Sequence, residues 1–238
     1  MQLISRSTAR DDFPAAVLFD LDGTVADTEA NWFEGEMSVL KPLGVPWTHE
    51  VAMRYVGVSI EWSVRDIISR FDLSISPDDL LENLVSAVHE AAQRRRTQWL
   101  PGVLETLDLL RELEIPTALV TMSYRQLADV VIDDCAEGSF HAVVTGEEVE
   151  RGKPDPQPYL LAAERLGVDI DSCLIFEDST PGVLAGIRSG AQVVAIPCQL
   201  SVPPFPNLVQ CESMSGVDES FLRDIMTAAR PREENISE

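Results

Sequence analysis

The fold is decided by residues 17–28, which read VLFDLDGTVADT. The apolar run from Ala15 to Phe19 has the length and composition of a fully buried strand. Asp20 and Asp22 follow at alternate positions, so we expect both carboxylates at the carboxyl edge of a sheet, where open α/β sheets bind ligands. Gly23 lets the chain turn there without a Cβ penalty. The competing interpretation is an ordinary Asp/Gly turn after a core strand.

Composition and charge limit the class of protein. The 238 residues can bury a full core, as one large domain or two smaller ones, and 45% of them are apolar. The formal net charge of −22 at pH 7 argues against nucleic acid or an anionic membrane as partner. We therefore expect a small-molecule partner, and an anionic one would need cations placed at its own site.

Cysteine spacing and the chain's N-terminal residues bear on the compartment. The four cysteines are widely spaced and form no CxxC pair: Cys135, Cys173, Cys198 and Cys211. This spacing fits reduced cysteines of a cytosolic protein better than a disulfide framework or a zinc site. Residues 1–12 are polar and lack the apolar stretch of a signal peptide, and no apolar run approaches the roughly 18 residues that span a membrane. The sequence therefore predicts a cytoplasmic protein.

Residues 29 to about 99 contain helical patterns and no convincing buried strand. The first pattern ends at Pro42 and Gly44, and its apolar residues recur at helical spacing: Trp32, Phe33, Met37 and Leu40. A second helix is predicted near Glu61 to Phe71, and a third begins after Ser76, which fits a helix N-cap. This block is predicted to be an all-helical insert.

Strands and helices alternate after residue 101. The predicted strands are Pro116–Thr121, Ala142–Thr145, Cys173–Phe176 and Gln192–Ile196, and the predicted helices are Leu104–Glu114, Arg125–Cys135, Pro158–Leu166, Pro181–Ser189 and Phe221–Ala229. The alternation predicts an α/β fold with a doubly wound, parallel, Rossmann-like sheet and a helical insertion after its first strand. The expected domains are residues 1–27 and 101–230 for the core, 28–100 for the insert and 231–238 for a flexible tail.

Polar side chains follow most of the predicted strands. They are Asp20 and Asp22 after the first strand, Thr121 at the end of the second, Lys153 in the loop after the third, and Glu177 with Asp178 at the end of the fourth. Because parallel strands end at the same edge of a sheet, we expect these groups to converge in one cleft. Lys153 could instead be a surface lysine, but Gly152 and Pro154 constrain its backbone.

The predicted convergence of carboxylates requires a cation. Four carboxylates about 4 Å apart would repel one another by roughly 4 kcal/mol per pair at an effective dielectric near 20. One lysine cannot neutralise that repulsion, whereas a divalent cation with oxygen ligands can, and all-oxygen ligands suit Mg²⁺ better than zinc. Mg²⁺ bound in this way usually completes its shell with water and phosphate, so a phosphate-bearing substrate is expected.

These motifs resemble those of the haloacid dehalogenase superfamily of phosphotransferases. FDLDGT at 19–24, the strand end at Thr121, GKPDP at 152–156 and FEDSTPG at 176–182 resemble its four ordered motifs. The helical insert resembles the cap of the branch that contains β-phosphoglucomutase and phosphoglycolate-type phosphatases. Asp22 separates this chain from true dehalogenases, which lack an acid there, and indicates phosphate chemistry.

The resemblance implies a role for each residue at the predicted edge. Asp20 would be the nucleophile that forms an aspartyl-phosphate, and Asp22 would protonate the leaving oxygen and then activate water. Thr121 and Lys153 would hold the transferring phosphoryl group. The implied Mg²⁺ ligands are the Asp20 carboxylate, the Asp22 backbone carbonyl, Asp178 and Glu177.

Two positions in the cap favour a phosphatase over a sugar phosphate mutase. Residues 57–63 resemble the mutase substrate loop, but Ile60 stands where the mutase has an arginine for the second phosphate, and Trp32 stands where it has a histidine. We therefore expect a Mg²⁺-dependent phosphatase of a small phosphate monoester, the alternative being a β-phosphoglucomutase-like sugar phosphate mutase. A catalytically silent binding or regulatory protein is the other alternative, and the presence of the acids and Lys153 disfavours it.

An apolar leaving-group pocket is predicted from four residues: Trp32, Ile60, Trp62 and Met122. Packing inside the cap is the other interpretation of these side chains. The run Arg94 to Arg96 is the only cationic run in the chain, and we expect it to complement the C-terminus of a cap helix.

Overall fold

The computed structural model of the protein describes residues 12–233. Within that range a single six-stranded sheet is formed by β1 (Ala16–Phe19), β2 (Thr117–Val120), β3 (Ala142–Val144), β4 (Cys173–Glu177), β5 (Gln192–Ala195) and β6 (Val209–Gln210). All neighbouring strands run parallel, in the order β3-β2-β1-β4-β5-β6. The predicted parallel, Rossmann-like α/β fold is therefore confirmed.

The helices follow the predicted sequence of elements. They are α1 (Glu29–Leu40), α2 (His49–Ala52), α3 (Ile60–Phe71), α4 (Pro77–Gln93), α5 (Val103–Glu112), α6 (Arg125–Ile132), α7 (Gln157–Leu166), α8 (Thr180–Ser189) and α9 (Glu219–Thr227). Two short 3-10 helices cover Gly146–Glu148 and Ile170–Ser172. The sequence did not predict α2 or β6, because a single helical turn or a two-residue strand is too short to show a periodicity.

β1 lies at the centre of the sheet and is buried on both faces. Val17 and Phe19 pack in a layer with residues of α5, α6 and α9, whereas Ala16 and Leu18 pack in the opposite layer with residues of α7 and α8. Helices therefore cover both faces of the sheet, which explains why β1 is apolar at every position and not at alternate ones. The residue after β1 must then emerge at the carboxyl edge.

The helices α1 to α4 form a cap around a hydrophobic cluster separate from the two beside the sheet, and Leu127 of α6 joins that cluster from the core. A Cβ at Gly35 would lie 2.7 Å from the Cα of Val88, so α1 and α4 pack with their backbones in close contact. The chain enters and leaves the cap side by side, since Ala26 and Trp99 form an antiparallel bridge. Arg94 and Arg95 both pair with Glu34 of α1, so this part of the cationic run joins α4 to α1 inside the cap.

Predictions from the sequence also concern the two ends of the chain, its cysteines and membrane-spanning segments. The predicted tail begins with residues that contact the core: the Arg232 amide donates to the Pro206 carbonyl at 3.0 Å, and Glu233 pairs with Arg188 at 2.6 Å. Residues 1–11 and 234–238, on which other expectations fell, lie outside the described residues. All four cysteines are free. None of the helices in residues 12–233 has the length and apolar composition needed to cross a bilayer.

Candidate active site

The carboxyl ends of the central strands bring the predicted groups together. Asp20 follows β1 directly and its amide donates to the Phe176 carbonyl of β4 at 3.1 Å, which fixes the backbone of Asp20 beside Glu177. Thr121 follows β2 in the same way, with its amide donating to the Val144 carbonyl of β3 at 2.9 Å. Residues far apart in sequence therefore meet at one edge of the sheet, as the topology requires.

Lys153 is the cation at the centre of this site. Its ammonium group donates to Asp20 Oδ1 at 2.6 Å, to Glu177 Oε1 at 2.6 Å and to the Val120 carbonyl at 2.9 Å. These three contacts use all of its protons, and its side chain is 3% exposed. Burial lowers the pKa of Lys153, but Asp20 and Glu177 outweigh that effect and raise it above its ordinary range. Lys153 is thus a buried, permanently charged group and not a surface lysine.

Glu177 is fully buried and holds this arrangement in place. Its Oε1 accepts from Lys153 and from the Tyr159 hydroxyl at 2.7 Å. Its Oε2 accepts from the amides of Asp178 and Ser179 at 3.0 and 3.2 Å, and from the Ser179 hydroxyl at 3.1 Å. Five protein donors therefore satisfy a carboxylate that would otherwise be costly to bury.

Three carboxylates at the site could hold a metal ion. Oxygens of Asp20, Glu177 and Asp178 all lie within 4.8 Å of one another. Burial raises the pKa of Asp178 to about 9, helped by repulsion from Asp20 and Glu177, and burial with repulsion from Glu177 raises the pKa of Asp20 to about 7. A Cβ at Gly23 would lie 2.2 Å from Asp178 Oδ2, so the turn leaves room for this carboxylate only because it is glycine. The oxygen donors and the mutual repulsion both fit a hard divalent cation.

The carboxylate of Asp22 lines the same site and accepts hydrogen bonds from four donors. Its Oδ1 accepts from the Thr28 hydroxyl at 2.6 Å and from Trp32 Nε1 at 3.0 Å. Its Oδ2 accepts from the hydroxyls of Thr121 and Ser123 at 3.1 and 2.6 Å. Donors from both the sheet edge and the cap therefore fix the orientation of the Asp22 carboxylate.

A cavity of about 150 Å³ lies between the sheet edge and the cap. Asp20, Asp22 and Lys153 line it from the core, and the predicted pocket residues Trp32, Ile60 and Met122 line it as well.

Trp62 is the predicted pocket residue that the structure does not bring to the cavity. It is 52% exposed, and its ring centroid lies 6.3 Å from that of Tyr55. The buried stripe of α3 consists of Ile60, Ser63, Val64 and Ile67, and Trp62 falls outside that stripe. The prediction that it lines the pocket is therefore wrong.

Several contacts at the site were missed from the sequence. Ser123 lies two residues after Thr121, which was identified, and Thr28 belongs to the opening motif 17–28. Both hydroxyls could therefore have been found from their nearness to identified residues. Trp32 was interpreted as apolar, yet its indole N–H is a donor to Asp22. Tyr159 lies inside α7, and nothing in the sequence around it indicates a contact with the site. Glu36, which lines the cavity, could have been found, since an acid four residues after Trp32 falls on the apolar stripe of α1.

The fold and site define a Rossmann-like enzyme with a helical cap over an acidic, lysine-containing cleft. A family model described as haloacid dehalogenase-like hydrolase matches residues 17–196. The chain belongs to this family, as its motifs predicted.

Two curated relatives illustrate the similarity in sequence. The chain is 34% identical over 181 residues to a phosphorylated carbohydrates phosphatase of Thermotoga maritima, covering 74% of this chain and 82% of that protein. It is 31% identical over 194 residues to hexitol phosphatase A of Escherichia coli, covering 78% of this chain and 84% of that protein.

A solved structure illustrates the similarity in fold. The β-phosphoglucomutase of Clostridium difficile superposes with a TM-score of 0.77 at 19% identity, covering 90% of this chain and 97% of that one. At this identity the likeness concerns the fold alone.

Proposed function

We propose that the chain is a Mg²⁺-dependent phosphatase that hydrolyses a small phosphate monoester through an aspartyl-phosphate on Asp20. The observation that carries the proposal is the contact of Asp20 Oδ1 with Lys153 Nζ at 2.6 Å, at the floor of a cavity that Asp22 and Asp178 also line. The relatives named phosphatases of phosphorylated carbohydrates and of hexitols support a small phosphorylated substrate. The chain is a phosphoric monoester hydrolase of the haloacid dehalogenase family.

The reaction divides between two carboxylates. The Asp20 carboxylate attacks phosphorus and expels the alcohol. Asp22 must be protonated at this step, and it transfers that proton to the leaving oxygen and becomes a carboxylate. Asp22 then takes a proton from water, which attacks the aspartyl-phosphate and restores Asp20. Lys153 fixes the rotamer of Asp20 before attack, and Glu177 fixes Lys153. Mg²⁺, held by Asp20, Asp178 and the Asp22 carbonyl, would neutralise charge on the phosphoryl oxygens when bound.

Thr121 and Lys153 are proposed to contact the phosphoryl group. In the structure both donate hydrogen bonds to other groups of the protein. Thr121 donates to Asp22, and Lys153 donates to Asp20, Glu177 and a carbonyl. A phosphoryl group on Asp20 would lie next to the same ammonium, so Lys153 can stabilise it by charge without changing partners.

Water, and not a second phosphate ester, is the proposed acceptor of the phosphoryl group. Among the described residues that line the cavity, Lys153 is the one lysine or arginine, and it lies on the core side. Ile60, at the start of α3, is 6% exposed and supplies no charge. His49 also lines the cavity, but its Nδ1 lies 3.6 Å from Glu29 Oε1. A sugar bisphosphate bound here would find no lysine or arginine on the cap side for its second phosphate, and burying a phosphate without such a partner is costly.

The test of the function is phosphate release from a panel of monoesters with and without Mg²⁺. We expect release with Mg²⁺ and none in excess EDTA. We also expect no conversion of β-glucose 1-phosphate into glucose 6-phosphate when a trace of the 1,6-bisphosphate is supplied. Full activity in EDTA, or efficient isomerisation, would contradict the proposal.

Metal binding should also be visible as pH-dependent stabilisation. Because the pKa values of Asp20 and Asp178 are raised to about 7 and about 9, the metal-free folded protein holds protons that the unfolded chain releases, and its stability falls as pH rises toward 9. Mg²⁺ must displace those protons, so its affinity rises with pH. We expect Mg²⁺ to raise the Tm more at pH 8 than at pH 6.

Asp178→Asn should remove the stabilisation by Mg²⁺ while raising the Tm of the metal-free protein, because the neutral amide can be buried without taking up a proton on folding. The exposed Asp133 offers a matched control, and Asp133→Asn should respond to Mg²⁺ as the wild type does. A Tm shift by Mg²⁺ that survives Asp178→Asn would count against this ligand.

Trp32→Phe tests the proposed orientation of Asp22. The change keeps an aromatic ring and removes the Nε1 donor that reaches Asp22 Oδ1 at 3.0 Å. A misoriented acid slows proton transfer and leaves phosphate binding intact, so we expect kcat to fall about tenfold with KM nearly constant. Trp62→Phe, at a half-exposed position outside the cavity, is the control. Equal losses in the two variants would mean that Trp32 acts through cap packing alone.

A further inference from the structure

Two acidic side chains of α1, Glu29 and Glu36, line the cavity and take no part in the reaction, and Glu29 Oε1 lies 3.6 Å from His49 Nδ1. Glu36 lies on α1 and lines the cavity. Trp47 Nε1 donates to its Oε2 at 2.9 Å. Of residues 12–233, Trp47 is the one donor to this carboxylate, so Oε1 accepts no hydrogen bond within the described chain.

The position of Glu36 is fixed by its surroundings. Gly35 packs against the backbone of Val88, which sets the rotation of α1 on α4. Trp47 is 5% exposed and stacks on Tyr55 with 5.3 Å between ring centroids, so the donor that holds Oε2 is itself held. The free oxygen is therefore presented by a rigid frame and not by a mobile surface side chain.

No cation compensates Glu36 from within the cap. No ion pair joins it to another residue of the described chain, and burial raises its pKa to about 7 although the Trp47 hydrogen bond lowers it. The cap side of the cavity that Glu36 lines is largely apolar, with Phe33, Ile60 and Ile67 among its residues, and it also includes His49. A carboxylate in such surroundings gains most from a neutral donor or a cation and is opposed by a second anion.

We infer that Glu36 is a specificity-determining residue whose carboxylate accepts a hydrogen bond from a hydroxyl group of the leaving alcohol and excludes leaving groups that carry a second anion. The inference rests on the phosphatase function proposed above. A largely apolar surface with a fixed acceptor is typical of sites that orient a ligand through a few polar contacts. The substrate class is then a monophosphate of a polyhydroxylated, otherwise uncharged alcohol.

The experiment compares three esters: sorbitol 6-phosphate, which offers hydroxyl groups, p-nitrophenyl phosphate, which offers none, and phosphoglycolate, which carries a carboxylate. Glu36→Gln keeps an acceptor for Trp47 Nε1 and removes the charge. We expect the variant to lower kcat/KM for sorbitol 6-phosphate relative to p-nitrophenyl phosphate about tenfold, mostly through KM. The same variant should raise kcat/KM for phosphoglycolate relative to p-nitrophenyl phosphate.

Glu82→Gln is the control. Glu82 is exposed on α4 and does not line the cavity, so this substitution removes the same charge from the cap at a distance from the site. Both ratios should stay at their wild-type values in that control. Ratios that move less than twofold in Glu36→Gln would overturn the inference.

Wild-type selectivity provides a measurement that does not depend on the variant's folding. The wild type should prefer sorbitol 6-phosphate to phosphoglycolate by at least about tenfold, and the opposite preference would overturn the role of Glu36 while leaving the phosphatase function standing. Absence of phosphate release from all three esters would instead overturn the function and the inference with it.

Discussion

Asp20→Asn is expected to lower kcat by at least about 10⁴-fold while the protein stays folded. An amide has nearly the same shape as the carboxylate but lacks the charged oxygen that attacks phosphorus. Lys153 would still contact Glu177 at 2.6 Å, so its ammonium group keeps a charged partner. The variant therefore separates loss of the nucleophile from loss of structure.

The measurement is phosphate release together with acid-quench trapping of the covalent intermediate. Wild-type protein quenched during turnover should carry phosphate on Asp20, and Asp20→Asn should carry none. Circular dichroism and Tm should remain close to those of the wild type. A phosphorylated Asp20→Asn protein, or one with wild-type turnover, would show that another residue is the nucleophile.

Lys153→Met is expected to abolish activity and also to destabilise the fold. The change keeps the length of the side chain but leaves Asp20 and Glu177 without the cation that both contact at 2.6 Å. Breaking a buried ion pair by removing one partner costs about 3–5 kcal/mol. For a chain of this size that corresponds to a fall in Tm of about 6–20 °C.

The chain supplies its own control for that change, since it contains only two lysines. Lys41 is exposed at the end of α1, so Lys41→Met removes the same charge and should alter neither Tm nor kcat. Comparable Tm values for the two variants would mean that the buried carboxylates do not depend on Lys153.

The sheet and its acidic edge could be predicted because each depends on local sequence. The run before Asp20 is apolar at every position, which indicates a strand covered on both faces, and parallel topology then places Lys153 and Glu177 at the same edge. The confirmed fold followed from these two steps.

The partners of individual side chains could not be predicted in the same way. Asp22 accepts hydrogen bonds from Thr28 and Trp32 at the start of α1, and from Thr121 and Ser123 in the loop after β2. Which atoms meet depends on the docking of the cap on the core, and residue spacing does not contain that information. The same cause explains Trp62, whose aromatic character indicated burial while the rotation of α3 exposes it.

The bridge between Ala26 and Trp99 has an evolutionary consequence. Because Ala26 and Trp99 lie side by side, the chain leaves and re-enters the core at one place, so we expect the helices α1 to α4 to be replaceable without disturbing the register of β1. On the function proposed above, the cap and the core are two pieces of sequence with different roles, and a change confined to the cap would alter the preference for the alcohol without altering the groups that transfer the phosphoryl group. Trp32, which belongs to the cap and contacts Asp22 of the core, is a position at which the two pieces must remain matched.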